Sequence, residues 1–377
     1  MQLKTVAGIN KYTGNSVNPL EYPEQLYELY SVPSFETGYP EIIRGKEIGS
    51  TKITVEEGDV LVCKINPRIN RVWVVKHNTE YPLLASSEWI VIRNNEIDSN
   101  YLKWYFSSPS FRTLINSQVA GIGGSLTRAQ PKQVARYPVP VPCVNEQQKI
   151  SKILDEIEML ISLRREQLAK LDELVKARFV GLFESSELSG ETTIEAVTEQ
   201  VKVGFVGTCE KHYTDESGVP MLRTGNITEK GIDLKDLKYV TREFHERNKK
   251  SQIHAGDLLI ARHGSNGQAN VYSGPEAQCL NAVVIVPNQN IASSVFLAGL
   301  INAPMVKEQI ERTLVGSTQR VVNTKSIANL KVRVPSTSVQ RQYEEFVEQT
   351  DKSKSAIQQS LDKLETLKKA LMQKYFG

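Results

Sequence analysis

The sequence lacks the features that would place the chain in a membrane or outside the cell. Among its 377 residues no apolar run approaches the roughly 18 residues that a membrane-spanning helix needs. The polar start, residues 1–5, does not resemble a signal peptide. The four cysteines, Cys63, Cys143, Cys209 and Cys279, are far apart and form no C-x-x-C pair, so neither a zinc knuckle nor a disulfide framework is indicated. We therefore expect a cytosolic chain with reduced cysteines.

The sequence also lacks the motifs of common catalytic sites. No Gly-x-Gly-x-x-Gly follows a strand pattern, no Gly-x-x-x-x-Gly-Lys-Ser/Thr loop occurs, and the five histidines lack ligand spacing. Asn66-Pro67 is followed by Arg68, unlike the Pro-Pro-aromatic clamp that an amino-methyltransferase uses on a flipped base. The glycine loop at 264–267 could cradle a phosphate, but an ordinary turn explains it at least as well. We expect no catalytic residue, no metal ligand and no cofactor in this chain.

The composition is that of a folded chain with no strong charge bias. Apolar residues make up 40% and charged residues 24%, which is typical of globular proteins. The length allows two or three domains. A net charge of +3 permits a polyanionic partner but does not demonstrate one.

An internal repeat organises the sequence. A Gly-Asp turn before an apolar run, a Gly-Ser loop followed by cations, a Val-x-Val-Pro segment and a glutamine-rich helix start each occur twice, about 193 to 198 residues apart. The paired segments are residues 58–62 and 256–260, 124–132 and 316–325, 137–142 and 330–335, and 146–148 and 340–342. Two homologous halves explain this pattern.

Each half ends in a predicted long helix, from Asn145 to Phe183 and from Ser338 to Phe376. Neither helix contains proline, nor glycine before its last turn, and apolar residues recur at spacings of three and four. One such helix alone would expose its apolar stripe, so each needs a partner. The simplest partner is the other helix, in an antiparallel pair. About 36 residues would make a rod of roughly 54 Å, which would hold two binding domains apart.

The rest of the chain shows short β-rich runs punctuated by Gly, Asn, Ser and Pro. One amphipathic helix is predicted in each half, from Asn100 to Ser117 and from Ser294 to Leu314. The predicted fold class is α+β, with two similar α/β domains separated by an antiparallel pair of long coiled-coil helices. The predicted boundaries are residues 1–143, 144–184, 185–336 and 337–377.

Polar residues follow each Gly-Asp strand. Arg can fork onto guanine, and Asn or Gln onto adenine, so these side chains are typical of major-groove readout. A solvated polar loop is the alternative for any one residue, but the same residue types occur in both halves. The residues concerned are Lys64, Asn66, Arg68, Asn70 and Arg71 in the first half, and Arg262, His263, Asn266, Gln268 and Asn270 in the second.

Cations after each Gly-Ser loop form a second predicted set. Arg128 and Lys132 have counterparts in Arg320 and Lys325, with Asn323 between the latter two. Two cations beside a Gly-Ser loop suit sequence-independent contacts with phosphate. We therefore expect these residues to contact DNA.

The second half resembles a target recognition domain of the specificity subunit of a Type I restriction–modification enzyme. The resemblance lies in residues 219–227, which include Arg223 and Asn226, and in residues 231–234, 237–240 and 256–267. With the duplicated helices it covers nearly the whole chain. The first half departs from this pattern in two ways. Residues 63–68 lack Gly-Ser-x-Gly, and no segment of the first half matches residues 194–207, with which the second domain begins. Two domains that differ in sequence suit the reading of two different half-sites.

The resemblance implies a non-catalytic subunit that reads a bipartite asymmetric target in double-stranded DNA. It implies docking of two modification subunits, which bind S-adenosylmethionine and methylate adenine, and of restriction subunits that cut DNA using ATP. It also implies that Arg223 and Asn226 contact DNA. The exposed faces of the long helices are the expected docking surface. The alternatives are a coiled-coil scaffolding protein with duplicated protein-binding domains and, less favoured, the recognition half of a fused restriction–methylation enzyme.

Overall fold

The computed structural model describes residues 2–117, 119–120, 127–184, 186–188, 190–228, 231–263, 267–314 and 321–377. The chain divides into two compact units, Met1–Arg165 with Gln359–Gly377, and Glu166–Gln358. Both long helices therefore contribute residues to both units.

The first unit combines a five-stranded sheet, a three-stranded sheet and two pairs of short strands with short helices. Its strands are β1 (Gln2–Thr5), β2 (Ser16–Val17), β3 (Leu26–Tyr30), β4 (Glu41–Arg44), β5 (Lys52–Thr54), β6 (Val60–Cys63), β7 (Val72–Val74), β8 (Leu83–Ala85), β9 (Trp89–Ile92), β10 (Val119–Ala120), β11 (Arg128–Ala129) and β12 (Pro138–Val141). Its helices are α1 (Val6–Ile9), α2 (Ser99–Phe106), α3 (Pro109–Ser117), α4 (Pro131–Val134) and the first part of α5 (Val144–Glu184).

The two larger sheets of the first unit have the orders β2-β5-β8-β3-β4 and β7-β6-β9, while β1 pairs with β12 and β10 with β11. The five-stranded sheet contains a parallel pair, β3 with β8, whereas β6 is antiparallel to both of its neighbours. The largest core lies between the three-stranded sheet and α2 and α3, and it includes Val60, Phe106, Phe111 and Leu154. The strand after the first Gly-Asp turn is therefore at the centre of its sheet.

The second unit has the same plan. Its strands are β13 (Thr192–Thr193), β14 (Thr198–Val203), β15 (Tyr213–Thr214), β16 (Val219–Leu222), β17 (Ile227–Thr228), β18 (Gly231–Ile232), β19 (Lys238–Val240), β20 (Gln252–Ile253), β21 (Leu258–Ala261), β22 (Ala269–Val271), β23 (Ala277–Cys279), β24 (Ala282–Pro287) and β25 (Lys331–Val332). Its helices are α6 (Arg242–Arg247), α7 (Ser294–Asn302), α8 (Pro304–Leu314), α9 (Thr324–Ala328) and the first part of α10 (Thr337–Phe376).

The two larger sheets of the second unit have the orders β15-β19-β16-β23-β20 and β14-β24-β21-β22, while β13 pairs with β25 and β17 with β18. As in the first unit, the five-stranded sheet contains one parallel pair, β16 with β23. The strand after the second Gly-Asp turn, β21, pairs with β22 and β24 and is fully buried. The predicted α+β fold class and the duplication of the two halves are confirmed.

The Gly-Asp turns have the same backbone geometry in both units. Gly58 has φ 88° and Gly256 has φ 97°, in the region that favours glycine. Each glycine carbonyl accepts a hydrogen bond from a serine hydroxyl at the start of the next helix, Ser99 at 2.6 Å and Ser294 at 2.7 Å. The turn thus connects β6 to α2 in the first unit and β21 to α7 in the second.

The long helices of the sequence prediction are confirmed as α5 and α10, and each unit contains an antiparallel pair of their segments. In the first unit Glu158 pairs with Lys368 at 2.5 Å and Arg165 with Glu365 at 2.7 Å. In the second unit Asp172 pairs with Lys354 at 2.6 Å, and the rings of Phe179 and Tyr343 are 5.2 Å apart. In both units residue numbers rise on one helix as they fall on the other.

The prediction of a single amphipathic helix over residues 100–117 and over residues 294–314 was wrong, because the structure has two consecutive helices in each of these described segments. The pairs are α2 with α3 and α7 with α8. Pro109 and Pro304 stand at the first position of α3 and α8. Proline supplies no backbone N–H and disfavours the helical conformation in the residue before it. Ala303 accordingly has an extended backbone, with ψ 146°.

Candidate nucleic-acid interface

In the first unit, backbone hydrogen bonds bring the two predicted polar sets together. The N–H of Ala129 donates to the carbonyl of Lys64 at 2.9 Å, directly after β6. The N–H of Asn66 donates to the carbonyl of Thr127, also at 2.9 Å. Residues 64–71 and 127–132 therefore form one surface, which we call the first junction.

The loop after β6 is a tight turn. Asn66 and Asn70 have φ values of 47° and 54°, and a 3-10 turn, Pro67–Ile69, lies between them. Asparagine is among the few residues that tolerate this left-handed conformation. The guanidinium of Arg112 donates to the carbonyl of Arg68 and so ties the turn to α3. The Arg68 side chain is exposed, and that of Asn66 is half-buried.

Carboxylates hold two of the predicted cations of the first junction. Arg71 Nε lies 2.9 Å from Glu36 Oε1, and only 14% of the Arg71 side chain is exposed. Arg128 Nη2 lies 3.0 Å from Glu88 Oε1, and 58% of its side chain is exposed. Arg71 is thus mostly enclosed by protein, whereas Arg128 remains accessible. Lys132 is exposed on α4, and Lys64 is half-buried.

The second unit has the same junction at the end of β21. The N–H of Val322 donates to the carbonyl of Arg262 at 3.0 Å, and Arg262 Nε donates to the carbonyl of Val322 at 3.3 Å. The loop after β21 and residues 321–325 thus form the second junction. His263 is exposed there and Gln268 is half-buried. Asn266, like the rest of 264–266, lies outside the described residues.

The segment after the second Gly-Ser loop caps a short helix. Asn323 Oδ1 accepts a hydrogen bond from the N–H of Ser326 at 2.8 Å, so Asn323 is the N-cap of α9. Lys325 is exposed on that helix, in the position that Lys132 occupies on α4. Arg320 and both Gly-Ser pairs, at 124–125 and 316–317, lie outside the described residues.

Asn226 holds a turn in the second unit. Its side chain is buried; Oδ1 accepts from the N–H of Arg223 at 3.0 Å, and Nδ2 donates to the carbonyl of Asp233 at 3.1 Å. The amide is therefore occupied by backbone groups, and this geometry favours a structural role. The half-buried Arg223 donates from Nη2 to the carbonyl of Asp236 at 3.4 Å. Contact of either residue with DNA stays a prediction.

Residues 31–40 of the first unit form a loop beside the first junction. This loop was not among the regions predicted from the sequence. It follows β3, whose last residue, Tyr30, is paired with Ala85 at the end of the parallel strand β8. The N–H of Ser86 donates to the carbonyl of Tyr30 at 3.1 Å. The ion pair between Glu36 and Arg71 joins this loop to the turn after β6.

The second unit shows which signal could have revealed this loop. There the parallel pair is β16 with β23, in which Leu222 is opposite Cys279. The loop after β16 begins at Arg223, which the sequence analysis did select. An alignment of β3 with β16 would therefore have identified residues 31–40 as its counterpart.

Two buried thiols of the chain are poor nucleophiles. Burial raises the pKa of Cys63, at the end of β6, and raises the pKa of Cys279 to about 12. All four cysteines are free of disulfide bonds. In the described part of the chain, no three His, Cys, Asp or Glu side chains are arranged to hold a metal ion. No described helix is both long and apolar enough to cross a membrane.

A family model described as the Type I restriction modification DNA specificity domain matches the chain twice, at residues 24–173 and 206–367. The two matches together include both junctions and most of both long helices.

Curated relatives extend this similarity along most of the chain. The specificity subunit of the Type I restriction enzyme MjaVIII from Methanocaldococcus jannaschii is 21% identical, over 86% of this chain and 80% of that protein. The specificity subunit of the Type I restriction enzyme EcoBI from Escherichia coli is 19% identical, over 78% of this chain and 69% of that protein.

Solved structures share the fold. The S subunit of a Type I restriction–modification system from M. genitalium aligns with 100% of this chain and 96% of its own, with a TM-score of 0.60 and 13% identity. A chain from a structure of the type I R-M system, described for its complex assembly and conformational transition, aligns with 100% of this chain and 97% of its own, with a TM-score of 0.60 and 15% identity. At these identities the likeness concerns the fold.

Proposed function

We propose that this chain, which belongs to the family of Type I restriction modification DNA specificity domains, reads a bipartite, asymmetric DNA target with its two junctions and performs no catalysis. The DNA-recognition role follows from the family. The observation that carries the bipartite reading is the repeated junction, in which Ala129 bonds to Lys64 and Val322 bonds to Arg262. One such surface in each unit suits two blocks of sequence.

The two junctions differ in their side chains, which supports an asymmetric target. The first presents Arg68, Arg128 and Lys132, and the second presents His263 and Lys325. Different hydrogen-bonding groups select different bases. We therefore expect the two blocks to differ in sequence and the whole site not to be palindromic.

In this proposal the chain works inside a Type I restriction–modification complex. It docks modification subunits, which supply S-adenosylmethionine-dependent methylation of adenine, and through them restriction subunits. It binds no cofactor itself. Apolar side chains on α5 in the first unit support a docking role, since Met159 is 56% exposed, Leu160 39% and Leu163 47%. Such a stripe on a helix is typical of a protein interface.

Selection from a pool of random duplex DNA tests the proposal. We expect purified chain, alone or with its modification subunits, to enrich two short blocks that flank a tract without preference. Binding should weaken steeply with salt, because phosphate contacts release counterions. A scaffolding protein with protein-binding domains would enrich no sequence, and that outcome would contradict the proposal. Turnover of S-adenosylmethionine or ATP by the rigorously purified chain would contradict the non-catalytic role.

A further inference from the structure

Glu88 contacts both loops of the first junction. Its backbone carbonyl accepts a hydrogen bond from the N–H of Lys64 at 2.8 Å. Its Oε1 accepts from Arg128 Nη2 at 3.0 Å, with 28% of the Glu88 side chain exposed. A carboxylate therefore stands among the cations of this DNA-facing surface, where phosphate binding alone would not favour one.

The second oxygen of this carboxylate has no donor among the described residues. Within that part of the chain, Glu88 Oε2 is buried and lacks a hydrogen-bond partner, and the same holds for Asn66 Oδ1 and Thr127 Oγ1 of the same junction. A buried acceptor without a donor costs free energy, so native proteins rarely retain one without a function. The first junction thus has unused acceptor capacity.

Bound DNA can supply such a donor through a base but not through a phosphate, which is itself an acceptor. In the major groove the exocyclic amino groups of cytosine and adenine are donors, and a Glu side chain can accept from the amino group of cytosine. We infer that Glu88 is a specificity-determining residue, which accepts a hydrogen bond from the exocyclic amino group of one cytosine or adenine. This inference rests on the proposed DNA-reading function.

Arg128 provides a way to free the carboxylate. Its guanidinium is 58% exposed, so a DNA phosphate can compete with Glu88 for it through a charge-assisted hydrogen bond. The Glu88 side chain then turns toward the major groove, where Oε2, which lacks a donor in the free protein, accepts from the base amino group. In this way a phosphate contact by Arg128 and base readout by Glu88 are coupled.

Two matched variants test the role of Glu88. Glu88→Gln and Glu36→Gln each remove one negative charge from a carboxylate that pairs with an arginine of the first junction. Both changes should raise affinity for all sequences by a similar factor, since both weaken repulsion of the phosphates. Only Glu88→Gln should also change the preference at one base pair in one block, by roughly tenfold or more.

Parallel selections with wild type, both variants and Glu88→Ala give the decisive comparison. If Glu88→Gln and Glu88→Ala, which has no side-chain acceptor, both return the full wild-type preferences, the inference is overturned. A wild type that enriches no sequence at all refutes the proposed function instead, so the two failures are distinguishable. A preference that changes equally in Glu36→Gln would show a general charge effect and would also overturn the specific role of Glu88.

Base analogues provide a second test that does not depend on the folding of a variant. Each cytosine and adenine of the selected blocks is replaced in turn by an analogue without the exocyclic amino group. Wild type should lose roughly tenfold in affinity at one position that is read by the first junction. That loss should disappear in Glu88→Ala, whose side chain has no acceptor. If no analogue weakens binding, or if the loss persists in Glu88→Ala, Glu88 does not read an amino group.

Discussion

Arg93 donates two hydrogen bonds to Asp59, from Nε to Oδ1 at 2.8 Å and from Nη2 to Oδ2 at 2.7 Å. The Asp59 carboxylate, which belongs to the first Gly-Asp turn, is buried. In the second turn, Asp257 is also buried and accepts from the N–H of His254 at 2.9 Å. Among the described residues no Lys, Arg or His side chain forms a salt bridge with Asp257.

This difference predicts unequal effects of the same substitution in the two units. Asp59→Asn should lower the free energy of unfolding by about 2 kcal/mol, because the largely buried Arg93 loses its buried carboxylate partner and keeps only the exposed Glu56. Asp257→Asn should cost less than about 1 kcal/mol, because the asparagine oxygen can still accept from the His254 N–H. Urea unfolding of both variants checks the prediction. Equal losses of stability in the two variants would mean that the ion pair between Asp59 and Arg93 contributes no stability of its own.

Asp257 also predicts a pH effect. Burial raises the pKa of Asp257 above its ordinary value of 3.8, so the folded chain favours its protonated form. The stability that protonated Asp257 contributes is fully present below pH 3.8. It is lost as the pH rises through the higher pKa that Asp257 has in the folded chain. We therefore expect wild type to lose stability relative to Asp257→Asn over that interval. A stability difference independent of pH, measured by denaturant unfolding at several pH values, would contradict this.

Lys132 and Lys325 are exposed at equivalent positions of the two junctions, which predicts contact with phosphates. Replacing either by alanine should weaken binding to all sequences alike and reduce the salt slope by about 0.9 for the lost contact. Lys363→Ala, an exposed lysine on α10, is the control and should leave the slope unchanged. A change at one base position in Lys132→Ala or Lys325→Ala would show base readout instead. Arg320 carries the same sequence-based expectation.

Arg262 and Gln268 should behave differently from these lysines. Replacing either by alanine should relax the preference within one block and leave the other block intact, since both residues belong to the second junction. Selection from random DNA on each variant measures this. Uniform weakening on every sequence would reassign the residue to phosphate contact.

Two helical glycines predict opposite effects of alanine. A Cβ at Gly299 in α7 would lie 2.8 Å from Tyr343 Oη and 2.9 Å from Phe179 Cδ2, so Gly299→Ala should destabilise the chain by about 1–3 kcal/mol. A Cβ at Gly181 in α5 would meet nothing within 4 Å, so Gly181→Ala should stabilise it by up to about 1 kcal/mol. Thermal unfolding of both variants provides the measurement. Stabilisation by Gly299→Ala would show that the packing there is loose.

The α+β architecture and its duplication were predictable because they depend on local signals. Long stretches without proline and with apolar residues at helical spacing indicate α5 and α10. Glycine before aspartate indicates the two turns, because Gly58 and Gly256 need a backbone conformation that other residues rarely adopt. These signals act within a few residues of one another, so the sequence alone determined them.

The composition of the junctions depended on partners that are distant in the chain. The sequence indicated that Lys64 and Arg128 belong to polar loops, but only the fold placed Ala129 on Lys64 and Glu88 on Arg128. The sequence also could not show that Glu36 forms an ion pair with Arg71. These contacts arise when β3, β6, β8 and β9 assemble into sheets, and no local pattern records which loops meet. The sequence therefore determined the elements and the residue types of the two junctions, while the tertiary structure decided which of these side chains pair with other groups and which remain exposed.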